Sequence, residues 1–245
     1  MAVPRTRRIY TGTTERIIME GDAVHTVTET VTKTVSLADF MAACKAQGEI
    51  STPIVPNGTK YYRKKDGRSV LVVEKPPQTR TITWKGMDID PTKTRWKLSF
   101  PYTVFVFEII DPLNINSARF FFRTKTIGDL TDMLYKSSLT NVYDSYKICT
   151  GYGSSGMHAV GNTLAEKVDN YIAAFWHSEF NTDLADYSWG AYAHDRLHKY
   201  PQLETLEAWQ AATTANQFFT LNDIVWKEVY DLNHITTEII NNPNN

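Results

Sequence analysis

Hydrophobic and polar positions alternate through the first half of the chain and change to a helical period in the second. Val27, Val31 and Val35 are spaced among threonines between Val24 and Val35. That pattern predicts strands over the first 35 residues, with a threonine-rich face left to solvent. A short helix is expected next. Ser36 is placed to cap it, and Leu37, Phe40, Met41 and Cys44 follow at i, i+3, i+4 and i+7, so Cys44 is expected in the core. Lys60 to Lys64 and Ser69 to Glu74 flank Asp66-Gly67, a pairing that predicts a hairpin. Pro76-Pro77 breaks the ladder and Arg80 to Trp84 resumes it. Arg95 to Ile110 reads as a long strand interrupted at Pro101, turned at Asp111-Pro112 and paired back by Ala118 to Arg123. The middle of the chain is therefore expected to be an antiparallel meander.

After it the period lengthens. Thr126 to Lys136 predicts a short helix or turn. Thr163-Leu164-Ala165-Glu166 has the form of a capping box, in which the Thr hydroxyl and the Glu carboxylate satisfy each other's free backbone N–H groups. Leu164, Val168, Tyr171, Ile172 and Phe175 supply the apolar face behind it. Two further helices are expected over Leu203 to Asn216 and Asp223 to Ile240, with a polar tail from Asn241. Trp209 and Trp226 require apolar surface, so both segments are expected on the common core. No repeat or low-complexity linker divides the sequence. These features predict a single α+β domain over 1–245, with N-terminal strands and a short helix in 1–50, a core over 60–182 and a helical extension over 183–245.

Composition narrows the function classes. Lys and Arg number 26 against 27 Asp and Glu, so bulk charge gives no drive toward nucleic acid or an anionic membrane. Two cysteines, Cys44 and Cys149, do not make a disulfide scaffold and fit a reducing compartment. The opening MAVPRTRRIYTG has no apolar stretch of the secretory kind. The longest apolar run, Tyr102 to Ile110, is strand-sized and carries Glu108. A cytoplasmic location is expected, or a virion if the gene is phage-borne.

Three motifs suggest chemistry that their context does not support. Gly151-Tyr152-Gly153-Ser154-Ser155-Gly156 matches the dinucleotide-binding glycine pattern, but that pattern opens a helix, and here the capping box begins seven residues after the last glycine. It reads as a loop flanking Cys149. His194 and His198 have the spacing of a helical metal pair but lack a visible third ligand. Lys60 to Lys65, with Tyr61 and Tyr62 among the cations, reads as a solvated hairpin rather than a nucleic-acid surface.

One stretch is more specific. Residues 139–150 read Leu-Thr-Asn-Val-Tyr-Asp-Ser-Tyr-Lys-Ile-Cys-Thr. They resemble the active-site segment of ubiquitin-conjugating enzymes: an Asn eight residues before a Cys, with an aliphatic residue, here Ile148, ahead of the Cys. Leu139-Thr140 stands where that family has His-Pro, and Tyr146 where it usually has Gly. A closer resemblance is to a prokaryotic branch, family D, which includes the protein B of plasmid PRTRC systems. It is carried by Arg80-Thr-Ile-Thr-Trp84, Phe100-Pro-Tyr-Thr-Val-Phe105, Leu134-Tyr135 with Asn141-Val-Tyr143, Cys149-Thr-Gly151, and Phe175-Trp-His-Ser-Glu-Phe-Asn181, in that order, over about residues 70 to 182.

The resemblance implies a conjugating-enzyme-like fold, an antiparallel meander with packed helices. It implies a Cys149 thiolate that accepts the carboxyl terminus of a ubiquitin-like protein from an activating enzyme, with no metal or organic cofactor. The Asn141 amide would donate to the oxyanion of the tetrahedral intermediate. Asp144 and His177 are candidates for deprotonating an incoming amine. The residues also allow a plainer reading, with Asn141 ordering a turn and Cys149 closing a strand. In that case the fold would serve as an inactive structural or interaction module of a plasmid or phage assembly.

Overall fold

The computed structural model describes residues 55–85, 94–110, 114–151, 160–181 and 200–241, together with the backbone of 12–20 and 23–31. Strands β1 (Gly12–Glu20) and β2 (Ala23–Val31) form an antiparallel hairpin. The expected helix around Cys44, the Asp111-Pro112 turn and the His194/His198 pair lie outside the described residues.

The centre of the fold is one long hairpin bent in the middle. Strands β4 (Arg68–Lys75) and β7 (Tyr102–Ile110) pair antiparallel, and so do β5 (Gln78–Trp84) and β6 (Arg95–Phe100). The register is continuous: Lys75 opposes Thr103 and Gln78 opposes Phe100. Carrying that register across the gap sets Pro77 opposite Pro101. Neither proline has an N–H to give, so the ladder stops on both strands at the same place. One arm then joins a six-stranded sheet and the other a three-stranded sheet.

In the larger sheet β3 (Thr59–Lys65) and β4 flank the turn Asp66-Gly67, whose φ values of 51° and 77° match the two left-handed residues of a tight hairpin. Next to β7 come β8 (Asn114–Arg123), β9 (Met133–Lys136) and β11 (Glu228–Asp231). The smaller sheet places β10 (Glu179–Phe180) parallel to β5.

The larger sheet is buried on both faces. Leu71, Val73, Phe105, Phe107, Phe120 and Phe122 point to one side. There they meet α1 (Leu164–His177), whose capping box at Thr163 forms as expected. The contacts are aromatic: Phe105 meets Phe175 edge-on at 5.7 Å and Phe107 meets Tyr171 at 5.5 Å. Trp209, on α2 (Leu206–Ala215), and Trp226 share this core, and their indole N–H groups donate to Ser99 O and Thr220 O. Val70, Val72, Val104, Val106 and Phe121 face the other side, where Leu232, Ile235, Ile239 and Ile240 of a C-terminal helix cover them. Each fully buried aliphatic or aromatic side chain contributes about 1.5–3 kcal/mol.

The molecule is thus mixed α and β, with a curled antiparallel sheet and several helices. One expectation is corrected. Asp223 to Ile240 is not one helix: α3 (Phe219–Asn222) ends before it, β11 occupies Glu228–Asp231, and only α4 (Leu232–Asn241) is helical. The edge of β9 decides this, because Lys136 N–H donates to Lys227 O at 2.9 Å and draws the segment into the sheet. Of the short helix or turn expected over Thr126 to Lys136 the turn is what forms, followed by the strand Met133–Lys136, because Asp132 accepts the N–H groups of Gly128 and Asp129 and closes the turn early. Among the described residues no helix is long and apolar enough to cross a membrane.

Candidate functional site

Asn141 to Cys149 folds into a small hairpin against β8. Val142 bridges Ile148, Tyr143 N–H donates to Lys147 O at 2.9 Å, and Cys149 N–H donates to Asn141 O at 2.8 Å. The chain reverses through Asp144 and Ser145, closed by Tyr146 N–H on Tyr143 O at 2.8 Å. Tyr146 has φ of 66°. That left-handed conformation costs a residue with a Cβ about 1–2 kcal/mol. Ring contacts hold it there: the ring lies 5.1 Å from Phe121 and meets Tyr230 edge-on at 6.0 Å. Burial first, then the neighbouring Tyr230 and Asp144, raises its hydroxyl above the usual phenol range.

The returning arm adds to β8. Ile148 N–H donates to Ala118 O at 2.8 Å and Phe120 N–H to Tyr146 O at 2.9 Å. Behind this junction the guanidinium of Arg119 makes two hydrogen bonds to Glu238 of α4, at 2.8 and 3.1 Å. That pairing is the leading cause holding the Glu238 carboxyl below its ordinary value.

Cys149 follows, half-buried, and its sulfur receives a 3.5 Å contact from the Tyr143 hydroxyl. Asn141 is only 8% exposed, and its amide is turned inward. One N–H donates to Ser178 Oγ at 3.0 Å and one to Glu179 O at 3.1 Å. Ser178 Oγ in turn donates to Phe175 O at 2.7 Å, at the C-terminal end of α1. Two motifs far apart in sequence, Asn141-Val-Tyr143 and Ser178-Glu-Phe180, therefore meet through one side chain. Phe180 seals the joint by packing edge-on against Phe175 at 5.6 Å.

The structure brings the backbones of Asn141 and Cys149 together and spends both Asn141 amide protons on the neighbouring segment. Asp144 forms an ion pair with Lys136 at 2.8 Å, and His177 stands exposed in the last turn of α1. Two residues of the site carry contacts that sequence reasoning did not assign. Ser178 had a signal, since a buried Asn needs an acceptor and the Ser-x-Phe motif offered one. Tyr143 was visible only as part of the Asn141-Val-Tyr143 motif, because a tyrosine in a strand reads as packing.

Of the other motifs, the glycine pattern beyond Gly151 and the His194/His198 pair lie outside the described residues. The glycine pattern after Cys149 precedes a helix that opens only at Leu164. Lys60 is paired with Glu74 at 3.1 Å and Lys65 donates to Asn241 at 3.0 Å, so the basic hairpin is tied down within the molecule. Among the described residues no cluster of three His, Cys, Asp or Glu could hold a metal. No protein-family model, curated protein or solved structure matches the chain.

Proposed function

We propose that the chain is a ubiquitin-conjugating-enzyme-like protein of a bacterial, plasmid or phage system, and that Cys149 carries the carboxyl terminus of a ubiquitin-like protein as a thioester. The partners would be that ubiquitin-like protein and its activating enzyme. The reading is supported above all by Cys149, half-exposed at the end of a hairpin pinned to Asn141 and next to a phenol that can donate to its sulfur. A thiol that is partly exposed and has a hydroxyl donor beside it meets the first requirements for accepting an acyl group.

The test is co-expression of the full chain with a ubiquitin-like protein and its activating enzyme. The expected product is an adduct that dithiothreitol removes, that Cys149→Ala abolishes, and that Cys149→Ser converts to a reduction-resistant ester. An adduct that survives in Cys149→Ala, or a Cys149 that iodoacetamide does not label at neutral pH, would overturn the proposal.

The inward bonds of Asn141 favour a second reading, in which the same fold acts as an inactive binding or assembly module. Under it Cys149→Ala keeps wild-type behaviour in every assay of the parent system.

A further inference from the structure

The corner between the smaller sheet and the last turn of α1 gathers hydrogen-bond donors and a positive charge without an acceptor for them. Gln78 and Arg80 project to one face of β5. The register sets Phe100 opposite Gln78 and Leu98 opposite Arg80, so both apolar side chains share that face. Trp176 closes the corner from α1: its ring lies 5.0 Å from Phe100, and the Arg80 guanidinium sits over it at 4.9 Å. Gln78 Nε2, Arg80 Nε and Trp176 Nε1 are all buried without a hydrogen-bond partner, and Trp176 is only 3% exposed. Each is an N–H donor, and a buried donor left unpaired carries a cost that an acceptor removes. Arg68, Arg119 and Arg123 each pair with a carboxylate. Arg80 pairs with none among the described residues, and burial lowers its pKa from the ordinary value with no acid to offset it. The corner is not sealed: Gln78 and Arg80 are half-buried, and β10 covers the outer edge of β5 only at Thr83 and Trp84.

We propose that this corner binds a carboxylate, held by the Arg80 guanidinium above the Trp176 ring with Gln78 as a second donor. The planar guanidinium offers a carboxylate two parallel N–H bonds. Arg80 is the only cation on this face of β5 and β6, so a monoanion is matched in charge, whereas a phosphate dianion would leave charge half-buried and uncompensated. Phe100, Leu98 and Trp176 surround the donors with apolar surface, so the body behind the carboxylate is apolar, either a free acid or the C-terminal residue of a peptide. Stacking on Trp176 restricts the guanidinium before the ligand arrives and lessens the freedom lost on binding. The site is independent of any chemistry at Cys149.

The test is an NMR titration of the isotope-labelled full chain at constant ionic strength, read at the Arg80 Nε–H and Trp176 Nε1–H signals. Arg80→Lys and Trp176→Phe assign the two signals by their loss. Sodium benzoate should move both together and saturably, with a Kd roughly in the millimolar range. Benzamide keeps the ring and lacks the charge, and should leave the Arg80 signal in place. Arg80→Gln, read at Trp176, should weaken benzoate binding at least about tenfold. Arg80→Lys keeps the charge, loses the fork and should weaken it as well, which decides the matter if Arg80→Gln does not fold. Acetyl-Gly-Gly-Phe with a free C-terminus, set beside its C-terminal amide, separates the two sources: tighter binding than benzoate identifies a chain terminus, weaker binding a free acid. No saturable movement of either signal at about 20 mM benzoate would overturn the proposal. So would equal movement by benzamide, tighter binding of inorganic phosphate, or benzoate binding unchanged in Arg80→Lys.

Discussion

Two hairpins in this molecule turn through left-handed backbone, and they do so by opposite means. The β3–β4 turn uses Asp66 and Gly67, which accept positive φ from their own chemistry. The Asn141–Cys149 hairpin puts Tyr146 in that region and holds it there with Phe121 and Tyr230, residues distant in sequence. The first turn is specified locally and would persist in much altered surroundings. The second is specified by tertiary contacts, so the geometry of Cys149 depends on the packing of β8 and β11. A site built this way is coupled to the rest of the fold through the Tyr146 ring as well as through its hydrogen bonds to β8, Ser178 and Glu179.

The strongest way to break the comparison is Phe121→Ala. It empties a fully buried position and removes the floor under Tyr146. The expected loss is about 3–5 kcal/mol in denaturant melts. Alkylation of Cys149 should also change in the surviving native protein, while the β3–β4 turn amides keep their hydrogen-exchange protection. A stability loss without any change at Cys149 would show that the second hairpin stands alone after all.

Substitution at the two left-handed residues sharpens the contrast. Gly67→Val meets no neighbour, since open space surrounds that position, but its φ of 77° should cost about 1–2 kcal/mol. Tyr146→Gly gains a similar relief and loses two ring contacts worth about 0.5–1.5 kcal/mol each. By the same magnitudes its net effect on stability should run from about 1 kcal/mol of gain to about 2 kcal/mol of loss, and amide exchange at Tyr146 and Ile148 should quicken. A Tyr146→Gly protein with unchanged exchange there would mean that the ring is not what fixes the hairpin.

The smallest effect is a pH dependence. Glu238 titrates below its ordinary value when folded, so its bond to Arg119 adds stability above the usual carboxylate range. That stability is lost as pH falls through the lowered value. Glu238→Gln should be less stable than the wild type near neutrality, by about 1 kcal/mol for this partly exposed pair, and the gap should close on acidification. A gap that persists at low pH would point to packing rather than charge.

What was legible in the sequence follows the same division between local and distant causes. Asp66-Gly67, the capping box at Thr163 and the apolar stripe of α1 each state their structure within a few residues, and each appears where expected. Pro76-Pro77 and Pro101 could be read as breaks, but not as facing breaks, because register belongs to the pair of strands. Glu228–Asp231 read as helix because its preference was overridden by the open edge of β9. At the site, the Asn141 and Cys149 spacing was visible and their backbone pairing follows from it. The direction of the Asn141 amide was not visible, since Ser178 and Glu179 arrive from the end of a helix placed by the aromatic core.

The proline pair at the bend bears on how the chain avoids its neighbours before it is folded. The segment from Arg95 to Ile110 holds Trp96, Leu98, Phe100, Val104, Phe105, Val106, Phe107 and Ile109, all buried in the native state. As one uninterrupted extended stretch it would be a ready template for the same stretch of another molecule. Pro101 within it, and Pro77 in the partner arm, withhold the N–H groups that an intermolecular ladder would need at its middle. The corner that divides two sheets in the native protein therefore also acts as a gatekeeper against aggregation during synthesis and refolding.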